Sequence, residues 1–364
     1  KELYTYNTGN IDINDLLLSP VSNYQCLLIG DGKESARGFE LSYDTKYNNY
    51  VVRIFTPSSR EDWLLALEYI KALAKEFDSE ILNERGEVYT AGNIDKFDYE
   101  SDILYGIKVI TENIKSGESD TYVIFGTTRP VSFNEEMVDE INNSNNPIDT
   151  FSRIVRNIQN LDAYSANQRF YKNDEDERIM GAYSLTENVR TILPYKPSVE
   201  FHNLDMVKNE DIAFWNIGLV TIDGDENDPN SYQVIGQLDY NDFIKKLPKD
   251  KYRFIDASYI LVEPLSKEEI LGFLEISSLV TSKFVTPNSL IMIPSPFTFF
   301  YYITFSKIVT YTTLSIQIID FQHVSKVFVL LLYCNNLQEK LTDHVSFLKV
   351  DTLYIVDYLT ENYY

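Results

Sequence analysis

Histidine is the commonest general base near neutral pH because its unperturbed pKa lies there, and this chain has three: His202, His323 and His344. Its two cysteines, Cys26 and Cys334, cannot make a disulfide framework, and their scarcity fits a reducing cytoplasm. Cys26 stands in the apolar run Gln25-Cys26-Leu27-Leu28-Ile29, where a small buried thiol is a simpler role than a nucleophile. A zinc site of Cys and His is short of ligands. No catalytic residue is assigned and no cofactor is expected, so the chain reads as non-enzymatic.

The segment Gly30-Asp31-Gly32-Lys33-Glu34-Ser35-Ala36-Arg37-Gly38 has the glycines and the lysine of a phosphate loop. A Walker loop needs four residues between its glycines and Ser or Thr after the lysine. Here Glu34 follows Lys33, and a connecting loop is expected. Asp223-Gly224-Asp225-Glu226-Asn227-Asp228-Pro229-Asn230 places oxygen ligands at the first, third and fifth positions of a calcium loop. An EF-hand wants Gly at the sixth and Glu at the twelfth, which are Asp228 and Val234. Asp223, Asp225, Asn227 and Asp228 are therefore candidate metal ligands in what otherwise reads as a polar turn.

Two residues are singled out for partner contact. Arg60 opens an amphipathic segment. Trp215, in Ala213-Phe214-Trp215-Asn216-Ile217-Gly218, is either core or a binding platform, since its ring carries both a large apolar surface and a polar handle.

A net charge of -23 repels phosphate backbones, whereas nucleic-acid binding needs a basic stripe. The acidity serves solubility or faces a basic protein partner. The N-terminal Lys1-Glu2-Leu3-Tyr4 has no apolar h-region, and no signal peptide is expected. A length of 364 residues suggests more than one domain, and the expected division is 1–145, 146–275 and an atypical tail, 276–364.

The elements that would position these residues are α+β in class: antiparallel hairpins with packed helices in two subdomains. Phe39–Tyr43 and Val51–Phe55 alternate around a Tyr47-Asn48-Asn49 turn and predict a hairpin. Ser58 and Glu61 have capping-box spacing, and Trp63, Leu67, Ile70, Ala74 and Phe77 then share one helix face, giving a first β-β-α unit. A second hairpin is expected around Arg85-Gly86, a helix over 98–114, a strand at Tyr122–Phe125, and two helical pieces in 132–160 parted by Asn142–Pro147. Polar residues 172–177 read as a loop. Strands are expected over 179–193, 213–222, 231–238 and 259–262, followed by a short helix capped by Ser266 with Glu269.

From Ile276 onward there is no Gly, Ala or Arg, and charged residues thin out. Such composition is what out-of-frame reading of AT-rich DNA yields, and the tail is expected to be dispensable. The alternatives are a membrane-associated tail through 289–305 and 308–319, interrupted by Pro294, Pro296 and Lys307 and short of a bilayer span of about 20 residues, or a β-rich extension.

Ser35-Ala36-Arg37-Gly38-Phe39-Glu40, Phe55-Thr56-Pro57-Ser58-Ser59-Arg60-Glu61-Asp62-Trp63 and the stretch Ala213–Tyr240 resemble an uncharacterised family of roughly 300-residue cytoplasmic proteins from low-GC bacteria. That resemblance spans residues 10–275 and implies no catalytic residues, so function must be argued from the site. The leading expectation is an intracellular binding protein of immunity or adaptor type. A metal-dependent enzyme using carboxylates, or a membrane-associated protein, are the alternatives.

Overall fold

The computed structural model describes residues 20–23, 26–117, 119–173, 178–277, 290–293, 312–317 and 329–330. It is α+β and divides into two compact units, one of residues 1–160 with 299–364 and the other of residues 161–298. The division falls after Asn160 rather than at 145 because the helix beyond Asn146 packs within the first unit.

In the first unit, β1 (Leu27–Ile29), β2 (Phe39–Asp44) and β3 (Asn49–Ile54) form an antiparallel meander, with Phe39 opposite Ile54 and Asp44 opposite Asn49. Asn48 takes φ 55° in the β2–β3 turn, a left-handed conformation that Asn tolerates better than most residues. The chain then enters helix α1 (Arg60–Glu76). Trp63, Leu67, Ile70 and Ala74 are all buried on its core face, as the periodicity predicts. Its start differs by one residue from expectation. Ser59, not Ser58, is the N-cap, and the reciprocal partner is Asp62, not Glu61.

The expected second hairpin is β4 (Ile81–Asn83) and β5 (Val88–Tyr89), followed by α2 (Tyr99–Lys115), the hairpin β6 (Tyr122–Phe125) and β7 (Pro130–Phe133), α3 (Glu135–Asn142) and α4 (Pro147–Gln159). Asn134 and Asn146 cap the last two helices through their side chains, and Pro147 opens α4. Thus the Asn-rich interruption is a stop and a start.

The second unit holds β8 (Tyr164–Ser165), β9 (Arg169–Asn173), β10 (Ile179–Thr186), β11 (Thr191–Pro194), β12 (Ile212–Ile222), β13 (Tyr232–Asp239), α5 (Tyr240–Lys246), β14 (Tyr252–Phe254), β15 (Tyr259–Val262), α6 (Lys267–Ser277) and β16 (Leu290–Ile293). One sheet has the order β13-β12-β10-β9-β16 and another β14-β15-β11-β8. Both contribute to one core with α5 and α6, including Tyr183, Leu193, Ile217, Phe243, Val262 and Ile270. Ser266 and Glu269 cap α6 reciprocally. Two pairings are parallel, β10 with β12 and β8 with β11, where hairpins alone were expected.

Lys172 and Asn173 of the expected polar loop belong to β9, and 174–177 lie outside the described residues. The readings of the tail also lie outside them, apart from β16, β17 (Thr312–Gln317) and β18 (Val329–Leu330). In the first unit β18 pairs with β1, and β17 lies between β3 and β4, so that the sheet reads β18-β1-β2-β3-β17-β4-β5. Among the described residues no helix is long and apolar enough to cross a membrane.

Candidate functional site

Two of the segments that carry the family resemblance meet around one buried carboxylate. Asp62 accepts the N–H of Arg37 and of Gly38 at 2.9 Å each, that of Ala36 at 3.2 Å, and the Ser59 hydroxyl at 2.8 Å. Burial pushes its carboxyl up from the ordinary range while the donors of Arg37, Gly38 and Ser59 oppose that rise. Buried Arg37 donates to the carbonyls of Phe125 and Pro57, at 2.8 and 2.6 Å, and lies over the Phe55 ring. The Asp62 carboxylate and the Arg37 guanidinium are both bonded to backbone groups, which is what a structural junction requires. The glycine-rich loop expected to be a connector thus holds β2 to the start of α1.

Arg60, one of the two expected contact residues, pairs with Glu100 at 3.1 Å and Asp149 at 3.3 Å. Its backbone N–H donates to Ser152 Oγ, so it ties α1 to α2 and α4. Arg156 meets Glu34 and Glu61 alongside. Trp215 lies in the other unit. It stacks on Tyr183 at 5.7 Å between centroids, meets Phe170 edge-on at 6.0 Å and covers Gly181, where a Cβ would come within 2.3 Å of the indole ring.

The same unit contains a polar cluster that sequence reasoning missed. Gln168 Nε2 donates to the Tyr183 hydroxyl at 2.6 Å and to the Ser198 carbonyl, while its Oε1 accepts the Glu200 N–H at 2.9 Å and Asn203 Nδ2 at 3.0 Å. Tyr183 in turn donates to Glu200 at 3.3 Å. Although Glu200 as a residue keeps some exposure, its carboxylate is enclosed, and the lost solvation lifts its pKa to about 7 against the Tyr183 hydroxyl. Burial likewise pushes the Tyr183 and Tyr240 phenols up, and Tyr240 donates to the Pro194 carbonyl at 2.7 Å. No local motif marks this cluster, because the β9–β10 pairing sets Gln168 beside Tyr183 while Ser198, Glu200 and Asn203 come from the segment after β11. His202 is close in sequence, but its side chain is outside the described residues.

The candidate metal loop, Asp223 to Asn230, is the exposed turn of the β12–β13 hairpin. Asp225 Oδ1 accepts the Asn227 N–H at 2.9 Å and its Nδ2 at 3.0 Å, and Asp228 Oδ1 accepts the same two groups of Asn230 at 2.9 and 2.8 Å. These carboxylates are engaged in shaping their own turns. Among the described residues no three His, Cys, Asp or Glu side chains are grouped to hold a metal ion. What distinguishes the hairpin is its field. Between Lys208 and Lys245 there are eight acidic residues and no Lys, Arg or His.

A family described as "Domain of unknown function (DUF4299)" matches residues 2–272. No curated protein and no solved structure matches. The chain belongs to the DUF4299 family.

Proposed function

We propose that this member of the DUF4299 family is a non-enzymatic protein-binding module whose partner presents a basic surface. The observation that carries the reading is the β12–β13 hairpin, whose exposed turn and flanks hold acidic groups with no interspersed cation. Unscreened like charges at one end of a unit steer an oppositely charged partner into encounter and fix its orientation, and the effect fades over a Debye length of about 8 Å at physiological salt. An adaptor or immunity role in the cytoplasm is consistent with such a surface. A carboxylate metal enzyme has less support, since Asp225 and Asp228 are committed to Asn227 and Asn230.

The reading is tested by native capture with the whole chain beside a quadruple variant, Asp223→Asn, Asp225→Asn, Glu226→Gln and Asp228→Asn. A specific basic protein retained by the parent, lost from the variant and weakened by salt supports the reading. Identical profiles for the two chains overturn it.

A further inference from the structure

We infer that the outer edge of β13 is the docking strand for that partner, which would add an extended, lysine- or arginine-bearing segment to the sheet. This deepens the proposed function and rests on it. β13 ends its sheet, with β12 on one side and, among the described residues, no strand on the other. An edge exposes a row of backbone donors and acceptors and is ordinarily blunted by Lys, Pro or a bulge. From Tyr232 to Asp239 there is neither Lys nor Pro, and the only such device is a bulge at Ile235, where the register passes from Leu219 opposite Gly236 to Val220 opposite Val234.

The register fixes which groups face outward. Asp223 donates its N–H to the Ser231 carbonyl at 2.8 Å, and the Val220 carbonyl accepts from Glu187 on the β10 side. Hydrogen-bonded and non-hydrogen-bonded pairs alternate in an antiparallel ladder. Val220 and Val234 are therefore a non-hydrogen-bonded pair, and the N–H and C=O of Val234 point away from β12, as does the C=O of Tyr232. The same two residues carry the exposed apolar side chains of the strand, at 40% for Tyr232 and 65% for Val234. Tyr232 is held in place by its hydroxyl, which donates to the Glu226 carbonyl at 2.8 Å. Backbone groups, an apolar pair and the carboxylates of Asp225, Glu226 and Asp228 are thus presented together. Strand addition uses these parts: ladder bonds for affinity, alternate side chains and charge for choice of partner.

The probe is a capped ten-residue peptide of alternating lysine and valine, titrated into the whole chain with the Val234 amide followed by NMR, or the Gln233 and Ile235 amides in the Val234→Pro chain, where residue 234 has no N–H. Three comparisons are made: the same peptide N-methylated at alternate positions, an alternating glutamate and valine peptide, and the Val234→Pro chain. The lysine peptide is expected to bind and shift the Val234 amide. N-methylation or Val234→Pro should weaken binding about tenfold or more, since each removes edge hydrogen bonds while leaving charge intact. The glutamate peptide should not bind. Should Val234→Pro fail to fold, the N-methylated peptide decides alone. Equal binding of the methylated and parent peptides overturns strand addition and leaves an electrostatic partner surface standing. No binding of the lysine peptide, with partner capture still dependent on the loop carboxylates, also overturns the strand mode alone. Failure of both experiments overturns the functional reading beneath it.

Discussion

The Asp62 carboxylate accepts the Gly38 N–H at 2.9 Å, and this bond joins the third helical residue of α1, the far member of its capping box, to the turn that starts β2. Gly38 has φ +66°, and a Cβ there would lie 2.4 Å from the Ile29 carbonyl oxygen. Both the conformation and the space require glycine. Gly38→Ala is therefore expected to displace β1 from β2, and Asp62→Asn to turn an amide N–H toward backbone donors. Each should cost about 2–4 kcal/mol in denaturant melts, with Asp62→Asn leaving lysine-peptide binding by the folded fraction unchanged.

The neighbouring serines separate cap from filler. Ser59 Oγ accepts the Asp62 N–H at 3.1 Å, so Ser59→Ala should lose about 1 kcal/mol and more if the carboxylate loses its donor. Ser58 Oγ is buried with no hydrogen-bond partner, and Ser58→Ala should be neutral or slightly stabilising, because an unsatisfied hydroxyl is removed. Trp63→Ala, by contrast, empties a fully buried site stacked on Phe97 and Tyr99 and should cost about 3–5 kcal/mol. Chemical denaturation of the three variants checks the order.

These serines show what could be read in advance. The apolar period of α1 and the turn at Asn48 are local signals, and both stand in the structure. The cap lies one residue beyond the Ser58 that the spacing predicts because Ser58-Ser59 and Glu61-Asp62 offer two boxes with equal spacing, and only the burial of Asp62 under Ala36, Arg37 and Gly38 chooses between them. The parallel β10–β12 pairing was likewise illegible, since strand patterning carries no direction. Of the candidate residues, the Asp223–Asp228 loop is legible by its oxygen ligands, whereas the proposed function rests on its charge. The Glu200 cluster depends on contacts from Gln168 and Tyr183 across the chain and left no mark in the sequence.

Glu200 makes stability depend on pH with a definite sign. Its folded pKa of about 7 lies above the unfolded value, so the native state holds the proton more tightly. Its contribution is most favourable below the unfolded pKa of about 4.3 and is lost as pH rises through about 7. Glu200→Gln should abolish that slope, raising stability at pH 8 by about 1–3 kcal/mol relative to the parent after allowance for solvent screening. Melts at pH 5 and pH 8 are the measurement; equal pH dependence of the two proteins would place the titrating group elsewhere.

Trp215 is the residue on which core and contact roles can be told apart. Its ring fills the space over Gly181 and is wedged between Tyr183 and Phe170, so its removal opens the sheet's interior face. Trp215 is half-buried, so Trp215→Ala should cost less than the roughly 3–5 kcal/mol of a fully buried Trp, and Gly181→Ala should also destabilise by forcing the indole aside, because a methyl group within 2.3 Å of a ring carbon cannot be accommodated without movement. Gly181→Ala should in addition shift the Trp215 fluorescence, which can be isolated in a Trp63→Phe background. Neither substitution touches the backbone at Val234 or the carboxylates of the turn. Lysine-peptide affinity is accordingly expected to survive in the folded fraction of both, and a loss of affinity without a loss of stability in Trp215→Ala would make the indole itself a contact for the partner.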